Sequence, residues 1–249
     1  MIEEAEKEGL LTKDKIILEA TSGNTGIGLA MVGCLKGYKV LLVMSSGVSV
    51  ERQKMIKAFG AEIILTDANL GTDGAILKTK ELIRECPDKY FNLDQYSNDD
   101  NSRAHYHHTA EEIWNQTKGQ VTHVICSIGT TGTIMGIGEK LREKNPNIKI
   151  IGAEPIPGHK IQGLKNLEVE LVPSIYNPDL VDNSFIIENE EAYEMARKIV
   201  LEEGIFVGMS CGAAMVAALK TIEEIDSGVV VVIFPDRGEK YLSTVLFDN

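Results

Sequence analysis

Short runs of β-branched and apolar residues alternate with longer stretches of helical periodicity along almost the whole chain, and few folds accept that order. Strands are predicted over 15–19, 39–44, 61–65, 123–127, 149–154 and 229–234. Amphipathic helices are predicted between them, at 49–59, 72–86, 102–117 and 132–144. Several carry end signals: Ser49 as a cap, Gly60 after Phe59, and Pro87 after Cys86. Apolar strands separated by helices read as βαβ units, so the class is α/β with parallel-rich sheets flanked by helices.

Two stretches break the alternation. The polar segment 92–102 (NLDQYSNDDNS) is rich in turn formers and predicts a seam between two lobes, 1–97 and 98–249. The segment 155–183 holds Pro157, Pro173 and Pro178 and reads as a long irregular loop. Loops of that length usually carry function or cover a site.

Charge narrows the partners. Of 249 residues, 25 are basic and 37 acidic, a formal charge of −12. Nucleic acid and anionic membrane surfaces repel such a chain, and neither is expected as a partner. No apolar run reaches the ~18–20 residues of a membrane span, and the acidic N-terminus has no signal-peptide plan. The four cysteines (Cys34, Cys86, Cys126, Cys211) lie far apart with no CxxC pair, so a reduced cytoplasmic setting is expected.

Two glycine-rich turns follow predicted strands directly. One is TSGNTG, with Thr21, Ser22, Gly23, Asn24 and Thr25, entering a helix from Ile27. The other is GTTGT, with Gly129, Thr130, Thr131, Gly132 and Thr133, entering a helix near Ile134. Free backbone N–H groups and hydroxyls at a helix N-terminus make an anion site. Neither turn fits GxxxxGK[ST], and neither fits GxGxxG in its strand–turn–helix frame. Each turn taken alone also reads as a tight βα connection, with Gly supplying positive φ and Thr or Ser acting as a cap.

Taken in order, TSGNTG, the QYSN of 95–98, GTTGT, the GMSCGAA of 208–214 and the GEKYLST of 238–244 resemble the cysteine synthase family, which belongs with cystathionine β-synthase. The resemblance runs the length of the chain. The GTTGT form and the stretch 163–178 look closer to the B-type and phosphoserine-using members. The resemblance implies a fold type II pyridoxal 5′-phosphate enzyme, similar to the tryptophan synthase β chain, with its site at the C-terminal ends of the strands.

It also implies roles. Gly129, Thr130, Thr131, Gly132 and Thr133 would hold the cofactor phosphate, Asn24 its ring oxygen and Ser210 its ring nitrogen. Thr21, Ser22, Gly23, Thr25 and Gln95 would hold the substrate carboxylate. Ser210 has the simpler alternative of a helix cap. Lys165, in the GLKN of 163–166, would attract a phosphate leaving group as a point charge, with a solvated loop lysine as the alternative. The implied reaction is β-replacement, in which O-acetylserine or O-phosphoserine plus sulfide gives cysteine. Alternatives are a cystathionine β-synthase-like lyase and a non-catalytic binder of anions and amino acids. A homodimer is implied, with serine acetyltransferase as a protein partner.

The family's cofactor-anchoring lysine would precede Met1, so no catalytic residue is assigned within the chain and little activity is expected of it as it stands. Cys211 replaces the second serine of the usual pair and reads as a small buried thiol rather than a nucleophile. His105, His107 and His108 lack carboxylate or Cys partners at ligand spacing, so they read as a solvated helix surface and no metal is expected.

Overall fold

The alternation of the sequence becomes two parallel sheets in the computed structural model, which describes residues 1–248. The chain divides into two compact units. The first is Met1–Gln95 together with Lys240–Asp248, and the second is Tyr96–Glu239.

The first unit contains α1 (Ile2–Lys7), β1 (Ile16–Ala20), α2 (Asn24–Lys36), β2 (Lys39–Ser45), α3 (Val50–Ala58), β3 (Glu62–Thr66), α4 (Gly71–Glu85) and β4 (Tyr90–Asn92). The strands lie in the order β3-β2-β1-β4, all parallel. Central strands covered on both faces need apolar residues at almost every position, and β1 and β2 have them except at Glu19, Lys39 and Ser45. Ile17, Leu18 and Leu42 are fully enclosed, each side chain worth about 1.5–3 kcal/mol of burial.

The segment Lys240–Asp248 is fastened to α3. The Ser49 hydroxyl donates to the Lys240 carbonyl at 2.6 Å, Ser243 donates to Glu51 at 2.7 Å, and buried Arg52 lies over the Tyr241 ring. Ser49 stands at the cap position as expected, but its hydroxyl serves this long-range contact instead of the helix end.

The second unit opens with α5 (Asp100–Ala104), a π turn (His105–Thr109) and α6 (Ala110–Gln116). It continues with β5 (His123–Ser127), α7 (Gly132–Lys144), β6 (Lys149–Pro155), β7 (Asn183–Ile187), α8 (Asn189–Glu203), α9 (Met209–Glu223) and β8 (Val230–Val232). Its strands run β7-β6-β5-β8, again all parallel. Val124, Ile134, Ile137, Leu141 and Ile150 form the core under α7.

Four features differ from the sequence reading. β4 and β7 are edge strands that were not predicted: β4 has three half-buried residues, and β7 ends the irregular stretch with only Ile187 fully buried. The predicted 102–117 helix starts at Asp100 and widens into a π turn. α2 starts at Asn24, three residues before Ile27, because TSGNTG itself forms the helix entry. The predicted lobe boundary at 97/98 assigned 240–248 to the second lobe, whereas that segment packs with the first unit. Among the described residues, no helix is long and apolar enough to cross a membrane.

Candidate functional site

In the first unit, TSGNTG links the C-terminal end of β1 to α2. Thr21 is buried and its hydroxyl accepts from the Gly23 N–H at 3.2 Å, which curls the loop on itself. Ser22, Gly23, Asn24 and Thr25 remain half-exposed at the helix entry. Gln95 is brought beside this loop: its side-chain N–H donates to the Ala20 carbonyl at 3.1 Å, and its backbone N–H donates to Glu19 at 3.4 Å. Thr21 and Gln95 are therefore neighbours of the same strand end.

Two residues here were not singled out from the sequence. Lys240 donates from Nζ to Asn24 Oδ1 at 2.9 Å. Glu19, 1% exposed, sits under the loop, and burial pushes its carboxyl up to about 8. Its Oε2 has no hydrogen-bond partner among the described residues. Lys240 lies within GEKYLST but carries no local signal of a partner in α2. Glu19 reads simply as one polar residue in an apolar strand.

In the second unit, GTTGT links β5 to α7. Its backbone is unusual at Thr131, which has φ +67°, a conformation β-branched residues rarely adopt. Thr131 is 3% exposed, and its hydroxyl has no partner among the described residues. A Cβ at Gly129 would come within 2.6 Å of the Gly163 carbonyl oxygen, so glycine is needed there, and one at Gly132 would push the Asn101 amide out of its place. Asn101 donates to the Thr130 hydroxyl at 3.1 Å, and His105 lies 3.2 Å from the Thr133 hydroxyl. His105 is thus not the solvated surface residue the sequence implied, whereas His107 and His108 are exposed. No group of residues suited to a metal occurs among the described residues.

Ser210 is buried in the first turn of α9, and its carbonyl accepts from the Ser127 hydroxyl at 2.7 Å. Cys211 beside it is fully buried; burial pushes its thiol up to about 11, and Sγ donates to the Asp236 carbonyl at 3.4 Å. Such a thiol is a poor nucleophile.

A pattern describing pyridoxal-phosphate dependent enzymes matches residues 1–236. A cysteine synthase of Aquifex aeolicus is 49% identical over 254 aligned positions, covering 100% of this chain and 78% of that protein. The chain belongs to the cysteine synthases of the pyridoxal-phosphate dependent family. Cysteine synthase B of Pseudomonas aeruginosa is 43% identical over 100% of the chain and 82% of its own length. Among solved structures, a cysteine synthase of Entamoeba histolytica superposes with a TM-score of 0.90 at 44% identity, covering 99% of this chain and 75% of that one. A hydrogen sulfide-producing enzyme of Fusobacterium nucleatum gives 0.92 at 44% identity, covering 97% and 84%.

The residues present fit the family's cofactor. A phosphate needs donors and room close to the backbone. The GTTGT turn offers a helix N-terminus and a buried Thr131 hydroxyl with no partner among the described residues, and its two glycines let the Gly163 carbonyl and Asn101 close against the turn.

Lys165 is placed differently from the sequence reading. It is 3% exposed, and Nζ donates to Glu170 at 3.1 Å. Glu170 also accepts from the Asn166 N–H at 2.9 Å and lies 3.1 Å from His159. Burial works to raise the Glu170 carboxyl, but His159, the Asn166 N–H and the Lys165 charge outweigh it and hold the group down to about 2. Lys165 is neither a solvated loop lysine nor a bare point charge.

Proposed function

We propose that this cysteine synthase chain carries out β-replacement on an O-activated serine, with sulfide as nucleophile and cysteine as product. The observation that carries the reading is the GTTGT cradle, where strained, buried Thr131 keeps a hydroxyl with no partner among the described residues. An orphaned buried hydroxyl costs about 1–3 kcal/mol, an expense a bound anion would remove.

In the second unit, Gly129, Thr130, Thr131, Gly132 and Thr133 would hold the phosphate of pyridoxal phosphate at the positive end of α7. Ser210 would meet the ring nitrogen. When bound, the cofactor supplies an electron sink for the substrate's α-carbon. A serine hydroxyl is too weak an acid to keep that nitrogen protonated as a carboxylate would, which favours departure of a β-leaving group over deeper carbanion chemistry. In the first unit, Asn24 would donate to the cofactor's ring oxygen. Thr21, Ser22, Gly23, Thr25 and Gln95 would hold the substrate carboxylate through hydroxyls, N–H groups and the start of α2. No lysine of this chain is assigned as the cofactor's covalent anchor.

Because the Lys165 charge is balanced by Glu170, it gives O-phosphoserine no advantage over O-acetylserine. A functional division at 1–97 and 98–249, a cytoplasmic homodimer and serine acetyltransferase as protein partner rest on the family resemblance.

The experiment supplies pyridoxal phosphate, O-acetylserine or O-phosphoserine and sulfide, and measures cysteine. Only a little cysteine above a protein-free cofactor control is expected, since no lysine of this chain is assigned as anchor, and that should be lost in Thr130→Val/Thr133→Val. In a second incubation with cysteine and no added sulfide, sulfide release without cysteine formation in the first would instead favour the hydrogen sulfide production for which the Fusobacterium nucleatum relative is named.

A further inference from the structure

The element that backs the GTTGT cradle is α5 with its π turn. A methyl group at Gly136 would collide with the Ser102 carbonyl and crowd the Tyr106 N–H, so α7 meets this element backbone to backbone. That approach brings two side chains one helical turn apart, Asn101 and His105, up behind the cradle. Asn101 Nδ2 donates to Thr130 Oγ1 at 3.1 Å. His105 Nε2 lies 3.2 Å from Thr133 Oγ1, and its Nδ1 lies 3.0 Å from Thr109 Oγ1. The chain widens into the π geometry from His105 onward, a distortion that often marks functional segments.

We propose that His105 is a positioning residue for the phosphate cradle: its Nε2–H donates to Thr133 Oγ1, so that the Thr133 hydroxyl turns its own proton toward a bound phosphate. The proposal rests on the reading of 129–133 as that cradle. A threonine hydroxyl has one proton to give and two lone pairs to receive. If Nε2 accepted from Thr133, the proton would be spent on the ring and a lone pair would face the anion. With the hydrogen on Nε2, Nδ1 becomes an acceptor, and the Thr109 hydroxyl is in place to donate to it.

Asn101 treats Thr130 in the same way, because its amide N–H also donates from behind. Both backing groups therefore act in one direction, making net donors of two cradle hydroxyls. Burial lowers the His105 pKa, so the ring is neutral at neutral pH, and the tautomer rather than a charge carries the effect. The role is distinct from metal binding, since His107 and His108 point into solvent.

The test measures binding of pyridoxine 5′-phosphate and of pyridoxine, neither of which has an aldehyde to react with lysines. His105→Leu is expected to weaken pyridoxine 5′-phosphate about 3- to 10-fold, the range of one net hydrogen bond, and to leave pyridoxine unchanged. His105→Gln, which keeps an N–H donor, should retain most of the affinity. In a Thr133→Val background, His105→Leu should add no further loss. Nitrogen NMR of the phosphate-bound protein should find the His105 proton on Nε2, and the ³¹P resonance should shift in His105→Leu. Equal losses for both ligands would mean general damage and overturn the proposal. If Thr130→Val and Thr133→Val weaken the phosphorylated ligand while His105→Leu does not, the role of His105 fails and the cradle stands. If neither threonine variant matters, or the wild type does not bind, the cradle fails and the proposal falls with it.

Discussion

Lys240 Nζ donates to Asn24 Oδ1 at 2.9 Å, joining residues 216 positions apart within the first unit. The contact exists because Ser49, Arg52 and Glu51 fasten the segment that carries Lys240 to α3. With Oδ1 held toward a cation, the amide N–H pair of Asn24 faces the other way, so Lys240 fixes which end of the amide acts as donor.

The pair should be measurable without any ligand. A half-buried hydrogen bond to a charged group is worth roughly 1–2 kcal/mol net. Asn24→Ala, Lys240→Met and the double variant, compared by chemical denaturation, should give a coupling energy in that range. Additive effects of the two single changes would show that the contact contributes nothing. Lys240→Arg should keep part of the coupling.

The Lys165–Glu170 pair predicts an acid-sensitive loop and an unselective lysine. Glu170 is held at about 2, against an ordinary 4.5. A depressed carboxyl adds stability that is present above its unfolded value and lost as pH falls through the folded one. Wild type should therefore lose stability between about pH 4.5 and 2, and Glu170→Gln should flatten that loss. Lys165→Met should destabilise by ~1–3 kcal/mol, below the figure for a fully buried pair because Glu170 is partly exposed. Its effect on kcat/KM should be the same for O-phosphoserine and O-acetylserine. A selective loss with O-phosphoserine would restore the specificity role implied by the sequence.

What the sequence disclosed follows from how local the physics is. β1 and β2 are apolar at nearly every position because both faces are covered, and such runs declare themselves. GTTGT and TSGNTG were legible as strand-to-helix turns because glycine and hydroxyl residues mark that connection, whatever they bind. β4 and β7 were not, since edge strands with half their surface open carry no distinctive pattern. The ties of Lys240 to Asn24 and of Lys165 to Glu170 depend on tertiary placement. His105 looked like one of three solvated histidines, and only the close approach permitted by Gly136 sets it against Thr133.

Glu19 should make the first unit less stable in alkali. Burial raises its folded pKa to about 8 from 4.5, with the Gln95 backbone N–H opposing in part. The neutral acid is compatible with the fold, so this stability is fully present below about pH 4.5 and is lost as pH rises through about 8. Glu19→Gln keeps an acceptor for the Gln95 N–H and removes the ionisation. At pH 4 the variant should match the wild type. At pH 8.5 it should be more stable, by roughly 1–4 kcal/mol. Equal pH dependence in both proteins would mean that Glu19 ionises normally in the fold.

Thr131 sets stability against binding at a single residue. Its φ of +67° suits glycine, and its buried hydroxyl has no partner among the described residues. Positive φ at a β-branched residue costs about 1–3 kcal/mol, and the unpartnered hydroxyl about as much again. Glycine would remove both expenses but give up the buried methyl group and about 0.5–1 kcal/mol of chain entropy. Thr131→Gly should therefore stabilise the second unit, by ~1 kcal/mol net. It should also weaken pyridoxine 5′-phosphate about 3- to 10-fold by removing a donor. Thr131→Ser separates the two effects, because it keeps the hydroxyl and the strained backbone: its affinity should stay near wild type and its stability should not rise. If Thr131→Gly gains stability and binds the phosphate as well as wild type does, the hydroxyl has no part in the cradle. If it loses stability, the strain at this turn is smaller than the packing that Thr131 provides.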